Sequence, residues 1–187
     1  MVPAPCDTDL TTDRLVLRPW SVPEITAVVA GARLPHWAAD FPSEVDRIRV
    51  GQLAADPERQ HPYGHRQLLE RDTGLVVGAI GLFWPPTDGV VEFGYGVVPS
   101  RRRLGYATEA ARAIVAFALT LPGVRTVVAD VDPANVASVG VLEKAGLRRT
   151  PTAVRSARAD GELRRYVIGA HDVVPGGYGT RPEGGAR

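Results

Sequence analysis

Between Val90 and Thr120 the chain passes from an alternating apolar run, VVEFGYGVV, through PSRRRLG, into YATEAARAIVAFALT, where apolar residues recur at helical spacing. A switch of period from 2 to 3.6 across so short a link leaves one local solution: strand, tight loop, helix. Gly94 and Gly96 weaken the regularity of that strand, which fits a bulge or the close approach of a ligand. Ala107, Ala111, Ile114, Val115 and Ala118 form the expected buried stripe of a helix over about 106–120. Pro122 and Gly123 end it, and VRTVVADV reads as a short central strand.

The flanks supply the rest of a sheet. In TTDRLVLRPW, Leu15 and Leu17 point one way and Val16 and Arg18 the other, a half-buried strand closed by Pro19. Ser21 with Glu24 reads as a capping box for a helix over about 23–32. Residues 43–55 suit a second helix with Val45, Ile48 and Leu53 inward. HRQLLER and LVVGAIGLFW, joined by Asp72-Thr73-Gly74, form a hairpin that the segment from Pro85 to Gly89 ends. With VVEFGYGVV they make an antiparallel meander. Asp132-Pro133 introduces a helix over about 134–145, ended by Gly146 in a left-handed cap, and strands follow at about 147–152 and 164–169. The class expected is α+β: a mixed, mostly antiparallel, twisted sheet with helices on both faces. Residues 1–11 read as a loose lead-in, 12–172 as a single domain, and 173–187 as a glycine-rich, disordered tail.

Composition narrows the functional classes. The 187 residues are 44% hydrophobic and 23% charged, an ordinary globular balance. Net charge is only +1, which speaks against a dedicated nucleic-acid binder despite the triplet Arg101 to Arg103. Lys144 is the only lysine and Cys6 the only cysteine, so no internal disulfide or thiolate metal cluster is available. The histidines show no metal-ligand spacing, and no metal is expected. The longest apolar run, Leu75 to Trp84, is about half the ~20 residues of a membrane span. No secretory signal is visible, and the expected location is cytoplasmic.

A loop that leaves a strand and opens a helix presents unpaired N–H groups at the positive end of a helix dipole, a ready anion site. Gly105 lets the backbone approach a phosphate, Ala107 leaves the space unfilled, and neighbouring arginines add charge-assisted bonds. The P-loop pattern is absent, and the dinucleotide fingerprint needs a different strand context. Alone, Arg102-x-x-Gly105-x-Ala107 also fits an exposed turn with solvated arginines. Downstream, Asn135-x-x-Ser138 opens the next helix. Taken singly, Asn135 reads as an N-cap and Ser138 as a surface serine.

Together, strand–RxxGxA–helix–strand–NxxS–helix–Gly146-Leu147 resembles the acyl-CoA-binding half of the GNAT superfamily of N-acetyltransferases, over about residues 11–170. TTDRLVLRPW and GYATEA resemble its RimJ/RimL-type branch. The resemblance implies acetyl-CoA as cosubstrate and an amine acceptor, with transfer by direct attack in a ternary complex and no metal, nucleic acid or membrane partner. Homodimerisation stays open.

The resemblance also implies a cleft beside the strand before the loop, with pantetheine held by main-chain groups of Val97 and Val98. Pyrophosphate would lie on the N–H groups of Arg102, Arg103, Leu104, Gly105, Tyr106, Ala107 and Thr108. Arg101 to Arg103, Lys144 or Arg148 would meet the adenosine phosphates, and Asn135 would orient the pantetheine or the turn. Glu92 is the one carboxylate inside VVEFGYGVV, and burial there would raise its pKa toward that of a general base. It could instead face solvent or pair with an arginine. Where many relatives place a tyrosine to serve the leaving thiolate this chain has Leu142, so Ser138 or water takes that part. His36 and Trp37 would line the acceptor side with Glu92, His36 being an alternative base. A CoA-binding regulatory module without turnover is the competing reading.

Overall fold

The computed structural model describes residues 9–55, 63–155 and 162–172. One eight-stranded sheet runs through them: β1 (Leu10–Thr11), β2 (Leu15–Pro19), β3 (His65–Glu70), β4 (Val76–Thr87), β5 (Val90–Val97), β6 (Thr126–Val131), β7 (Arg148–Arg155) and β8 (Glu162–Gly169). The strand order is β1-β2-β3-β4-β5-β6-β8-β7, with every neighbouring pair antiparallel except β5 and β6. The helices are α1 (Val22–Val29), α2 (Glu44–Ala55), α3 (Tyr106–Ala118) and α4 (Val136–Lys144). The mixed α+β sheet with helices on both faces is as expected.

Side-chain parity separates those faces. Arg66 of β3 lies 4.9 Å from the Phe117 ring of α3, and its rung partner Ile80 shares that face. Phe83, three residues on from Ile80, faces the other way and meets the Arg49 guanidinium of α2 at 5.8 Å. α3 approaches closely because alanines line it: Ala110, Ala111 and Ala118 are fully buried beside Ile114. Leu15, Leu17, Leu68, Ile80, Leu82 and Phe93 complete that packing at 2% exposure or less. Each such side chain contributes about 1.5–3 kcal/mol through burial.

The Ser21–Glu24 capping box is present, with reciprocal bonds between the cap and the third helical residue. α1 stops at Val29, three residues short of expectation. The inward face of α2 includes Leu53 as expected but differs at Val45 and Ile48. Val45 and Ile48 are 54% and 56% exposed, whereas Asp46, Val50 and Leu53 are buried. Ser43 donates its amide and hydroxyl to the Asp46 carboxylate at 3.0 and 2.6 Å, and this local cap turns the helix so that Asp46 faces in. Burial pushes the Asp46 carboxyl up in spite of those bonds.

β4 does not stop at Pro85. It continues to Thr87 through an irregular stretch without rungs between Phe83 and Thr87, where two prolines can offer no donor. The hairpin turn is Asp88-Gly89, both at positive φ (51° and 80°), the geometry of a two-residue connection. Leu10–Thr11, placed in the lead-in on sequence grounds, forms the edge strand β1. Residues 1–8 and the tail from 173 lie outside the described residues.

Candidate active site

The site begins where the sheet divides. β5 and β6 share three parallel rungs, Val90–Thr126, Val91–Val127 and Glu92–Val128, and none beyond. From Phe93 onward β5 keeps β4 as its partner, while β6 from Ala129 onward keeps β8. The strands therefore fork just past Glu92, and the main-chain edge of β5 facing β6 is left open. Gly94 and Gly96 lie on this forked half. A side chain at Gly96 would meet nothing within 4 Å, whereas one at Gly78 would strike the Gly96 carbonyl oxygen. The glycines thus serve two needs, open space on one strand and close approach on its neighbour.

Hydrogen-bond alternation decides which main-chain groups point into the fork. Val98 donates its N–H to Val77 O at 2.9 Å and accepts from Arg101 N at 3.0 Å, so both its groups are engaged inside the protein. Val97, opposite Gly78, falls on the non-hydrogen-bonded rung and turns its N–H and C=O away from β4. Of the two valines singled out for main-chain contacts, only Val97 has an N–H directed at the fork.

At the end of β5 the chain makes a 3-10 turn, Pro99–Arg101, and reaches Gly105, the N-cap of α3, at φ 83° with no side-chain cap. The first bond of α3 joins Glu109 N to Gly105 O, so the N–H groups of Tyr106, Ala107 and Thr108 have no intrahelical partner. The loop thus has the open N–H geometry expected of an anion cradle. The three arginines before it do different things. Arg101 is tied through Nε to Glu70 at 2.8 Å, Arg102 reaches back to Val97 O at 3.2 Å, and Arg103 is exposed at φ 64°. Arg101 therefore anchors the loop to β3 rather than lining its rim. Leu104 is exposed, 48% of its surface open.

The loop is also held from beneath by Arg14 and Glu109, a pairing that no local stretch of the sequence shows. Arg14 donates to Leu104 O at 2.7 Å and to Glu109 through Nε at 2.8 Å, and its guanidinium lies 5.0 Å from the Tyr106 ring centre. Thr12 donates to the same carboxylate at 2.6 Å and the Arg14 amide at 2.9 Å. Burial alone would push the Glu109 carboxyl up; the bonds from Thr12 and Arg14 outweigh it and hold the group below its ordinary value. The only local signal was charge, Arg14 and Glu109 lying 95 residues apart. Beside the clamp opens a cleft of about 470 Å³ lined by Asp13, Arg14, Gly105, Thr108, Glu109, Arg112 and Lys144. Lys144 thus borders the loop, whereas Arg148 is paired to Asp172 at 2.6 Å.

Across the fork, Asn135 caps α4, its side-chain oxygen accepting from Ser138 N at 3.1 Å. The Ser138 carbonyl also accepts from the Tyr95 hydroxyl at 3.3 Å, so β5 and α4 meet there. Leu142 is buried at 1% exposure. Glu92 is half-buried rather than sealed, because the fork opens beside it, and it interacts electrostatically with Arg165. On the α1–α2 side, half-buried His36 reaches Glu24 at 3.1 Å. Trp37 is 3% exposed in an edge-on contact with Phe41, a packing role, with its Nε1 lacking a hydrogen-bond partner. Among the described residues no three His, Cys, Asp or Glu side chains converge as metal ligands, and no helix is long and apolar enough to cross a membrane.

Known proteins resemble this chain in sequence and in fold. The chain is 32% identical over 80 residues to the uncharacterized N-acetyltransferase YjdG of Bacillus subtilis, a match spanning 42% of this chain and about half (48%) of that relative. To YnaD, another uncharacterized N-acetyltransferase of the same organism, it is 25% identical over 145 residues, spanning 75% of this chain and 82% of the other. A Vibrio cholerae structure provisionally assigned as a ribosomal-protein-serine acetyltransferase shares the fold, with a TM-score of 0.63 at 20% identity, covering 88% of this chain and 98% of that one. The acetyltransferase (GNAT) domain model matches residues 14–148, the whole span from the Arg14 clamp through the fork to α4, and the chain belongs to the GNAT acetyltransferase family.

Proposed function

We propose that the protein transfers the acetyl group of acetyl-CoA to a primary amine by direct attack in a ternary complex, in the manner of the RimJ/RimL-type branch. The observation that carries this reading is the fork past Glu92, aligned with the cradle at Gly105 on one side and the start of α4 on the other. The residues present suit acetyl-CoA. Val97 offers an outward N–H to a pantetheine amide, the N–H groups from Arg103 to Thr108 suit a diphosphate while that of Arg102 is engaged by Pro99 O at 3.3 Å, and Lys144 with the Arg102 and Arg103 side chains suits further phosphate charge. Acetyl-CoA supplies the acetyl thioester.

The remaining chemistry belongs to the chain. The acceptor must arrive as a free amine, so a base is required, and Glu92 stands at the vertex of the fork, half-buried, where a proton can leave through the open side. A main-chain N–H of β5 near Val97 suits the thioester oxygen, which gathers negative charge as the amine attacks. Ser138, on the first turn of α4, is the hydroxyl nearest in sequence terms to serve the departing sulfur, with water as the alternative. His36 and the chain around it form the acceptor wall. The acceptor itself is a protein N-terminus or a small-molecule amine.

A screen for CoA release across peptides, aminoglycosides, amino acids and polyamines tests the reading, with Glu92→Gln alongside. Turnover with one acceptor class and loss of at least tenfold in kcat/KM for Glu92→Gln at neutral pH is expected. Binding of acetyl-CoA without thiol release from any acceptor would instead support a regulatory CoA-binding module. Full activity of Glu92→Gln at every pH would remove Glu92 as base.

A further inference from the structure

Past the last shared rung, Glu92 opposite Val128, β6 continues without β5, and its next residue on the same face is Asp130. Asp130 is the rung partner of Arg165 on β8, and the guanidinium grips its carboxylate through Nε and NH2, both at 2.8 Å. The Asp130 side chain is 6% exposed and that of Arg165 is 34% exposed. Rung by rung, Glu92, Val128, Asp130 and Arg165 share one face of the sheet, so this ion pair forms the far bank of the fork, across from Gly94 and Gly96. Arg165 senses two carboxylates, chiefly Asp130 through its hydrogen bonds and then Glu92 through charge, and both hold its proton more firmly.

We propose that Arg165, locked in place by Asp130, is the positioning residue that fixes the Glu92 carboxylate at the vertex of the fork and keeps it ionised. A base that is to receive a proton from an incoming ammonium group must be free of one beforehand. A cation beside a carboxylate favours its charged form. The bidentate grip keeps that cation from swinging away, and Asp130 in turn offsets the burial of the guanidinium. Other charged groups ring the same face. Arg49 of α2 lies against Gly94, with Asp46 one turn before it. His65 of β3 stacks edge-on with Phe83, and Arg148 of β7 is occupied by Asp172. Among them Arg165 is the one fixed bidentately to β6, the strand that flanks the fork.

The catalytic meaning of this pair rests on the reading of Glu92 as base, and the test separates the two. The Glu92 side-chain carboxyl is followed by carbon-13 NMR through a pH titration of the full chain with CoA present. In Arg165→Gln its midpoint is expected to rise by about one pH unit or more, and Arg165→Lys, which keeps a charge without the fork, to give a smaller rise. A shift under about a quarter of a unit in Arg165→Gln overturns the proposal. In the unmodified protein the nitrogen-15 signal of Arg165 Nε must show a step at the Glu92 midpoint, which keeps the test decisive if Arg165→Gln does not fold; a signal that stays flat there overturns the proposal as well. The acid limb of kcat/KM is measured in parallel with kanamycin and with a tetrapeptide bearing a free N-terminus. If the NMR midpoint rises while the acid limb stays put, the positioning of Glu92 stands and its part as base falls.

Discussion

One carboxylate, that of Glu109, takes a hydroxyl, a main-chain amide and a guanidinium from the β1–β2 segment and so fastens the chain's beginning to the first turn of α3. Removing its charge leaves Arg14 without its main partner and releases the grip on Leu104. Glu109→Gln is therefore expected to cost about 2 kcal/mol, a melting temperature lower by about 4–8 °C, read by calorimetry. It should also weaken acetyl-CoA about tenfold in isothermal titration, because the cradle must then be ordered at the expense of binding. The sign of its pH dependence follows from the depressed carboxyl. A group held below its ordinary value of 4.5 stabilises the fold above that pH and loses the contribution as pH falls through the lowered value. Glu24 and Glu70, also held low against the opposing effect of burial, act in the same direction, whereas Asp46, raised by burial, acts in the opposite one. The melting temperature should thus fall steeply below about pH 4.5, and less steeply in Glu109→Gln.

At the scale of elements, the fork depends on glycines that look interchangeable in the sequence and are not. A Cβ at Gly78 has no room beside the Gly96 carbonyl, so Gly78→Ala must push β4 and β5 apart; a loss of at least about 3 kcal/mol in chemical denaturation is expected. Gly96 has open space where a side chain would stand. Gly96→Leu should leave the melting temperature within a few degrees while cutting kcat/KM for the acceptor, and an unchanged kcat/KM would show that the acceptor does not pass over Gly96. Gly105 combines φ 83° with Arg14 NH2 at 3.3 Å from an added Cβ, so Gly105→Ala is strained by conformation as well as space. Most elements were legible because capping, turn chemistry and period agreed, as at Ser21–Glu24 and Asp72-Thr73-Gly74. The inward face of α2 was not, because Val45 and Ile48 obey the apolar rule while the Ser43–Asp46 cap sets the rotation.

For the whole molecule, the decisive expectation concerns order of events. Direct transfer requires both substrates present together, so initial-rate patterns should intersect, and intact-protein mass spectrometry after acetyl-CoA alone should find no acetylated enzyme. A stable acetyl adduct would exclude the ternary mechanism. Acetyl-CoA at a hundredfold its Kd should add about 2.7 kcal/mol, raising the melting temperature by about 5–11 °C. The amino-acid sequence by itself determined the strand–loop–helix with its glycine cap and open first-turn N–H groups, the asparagine cap of α4 and the class of the sheet, because these follow from period, glycine placement and residues within a few positions of one another. The tertiary structure alone decided which strands part and where, that Val98 is engaged and Val97 faces outward, that Arg101 anchors while Arg14 clamps, and that Arg165 and Asp130 stand across from Glu92. Each of those depends on strand register and on pairs far apart in the chain, and register is settled by how the whole sheet packs rather than by any local stretch of residues.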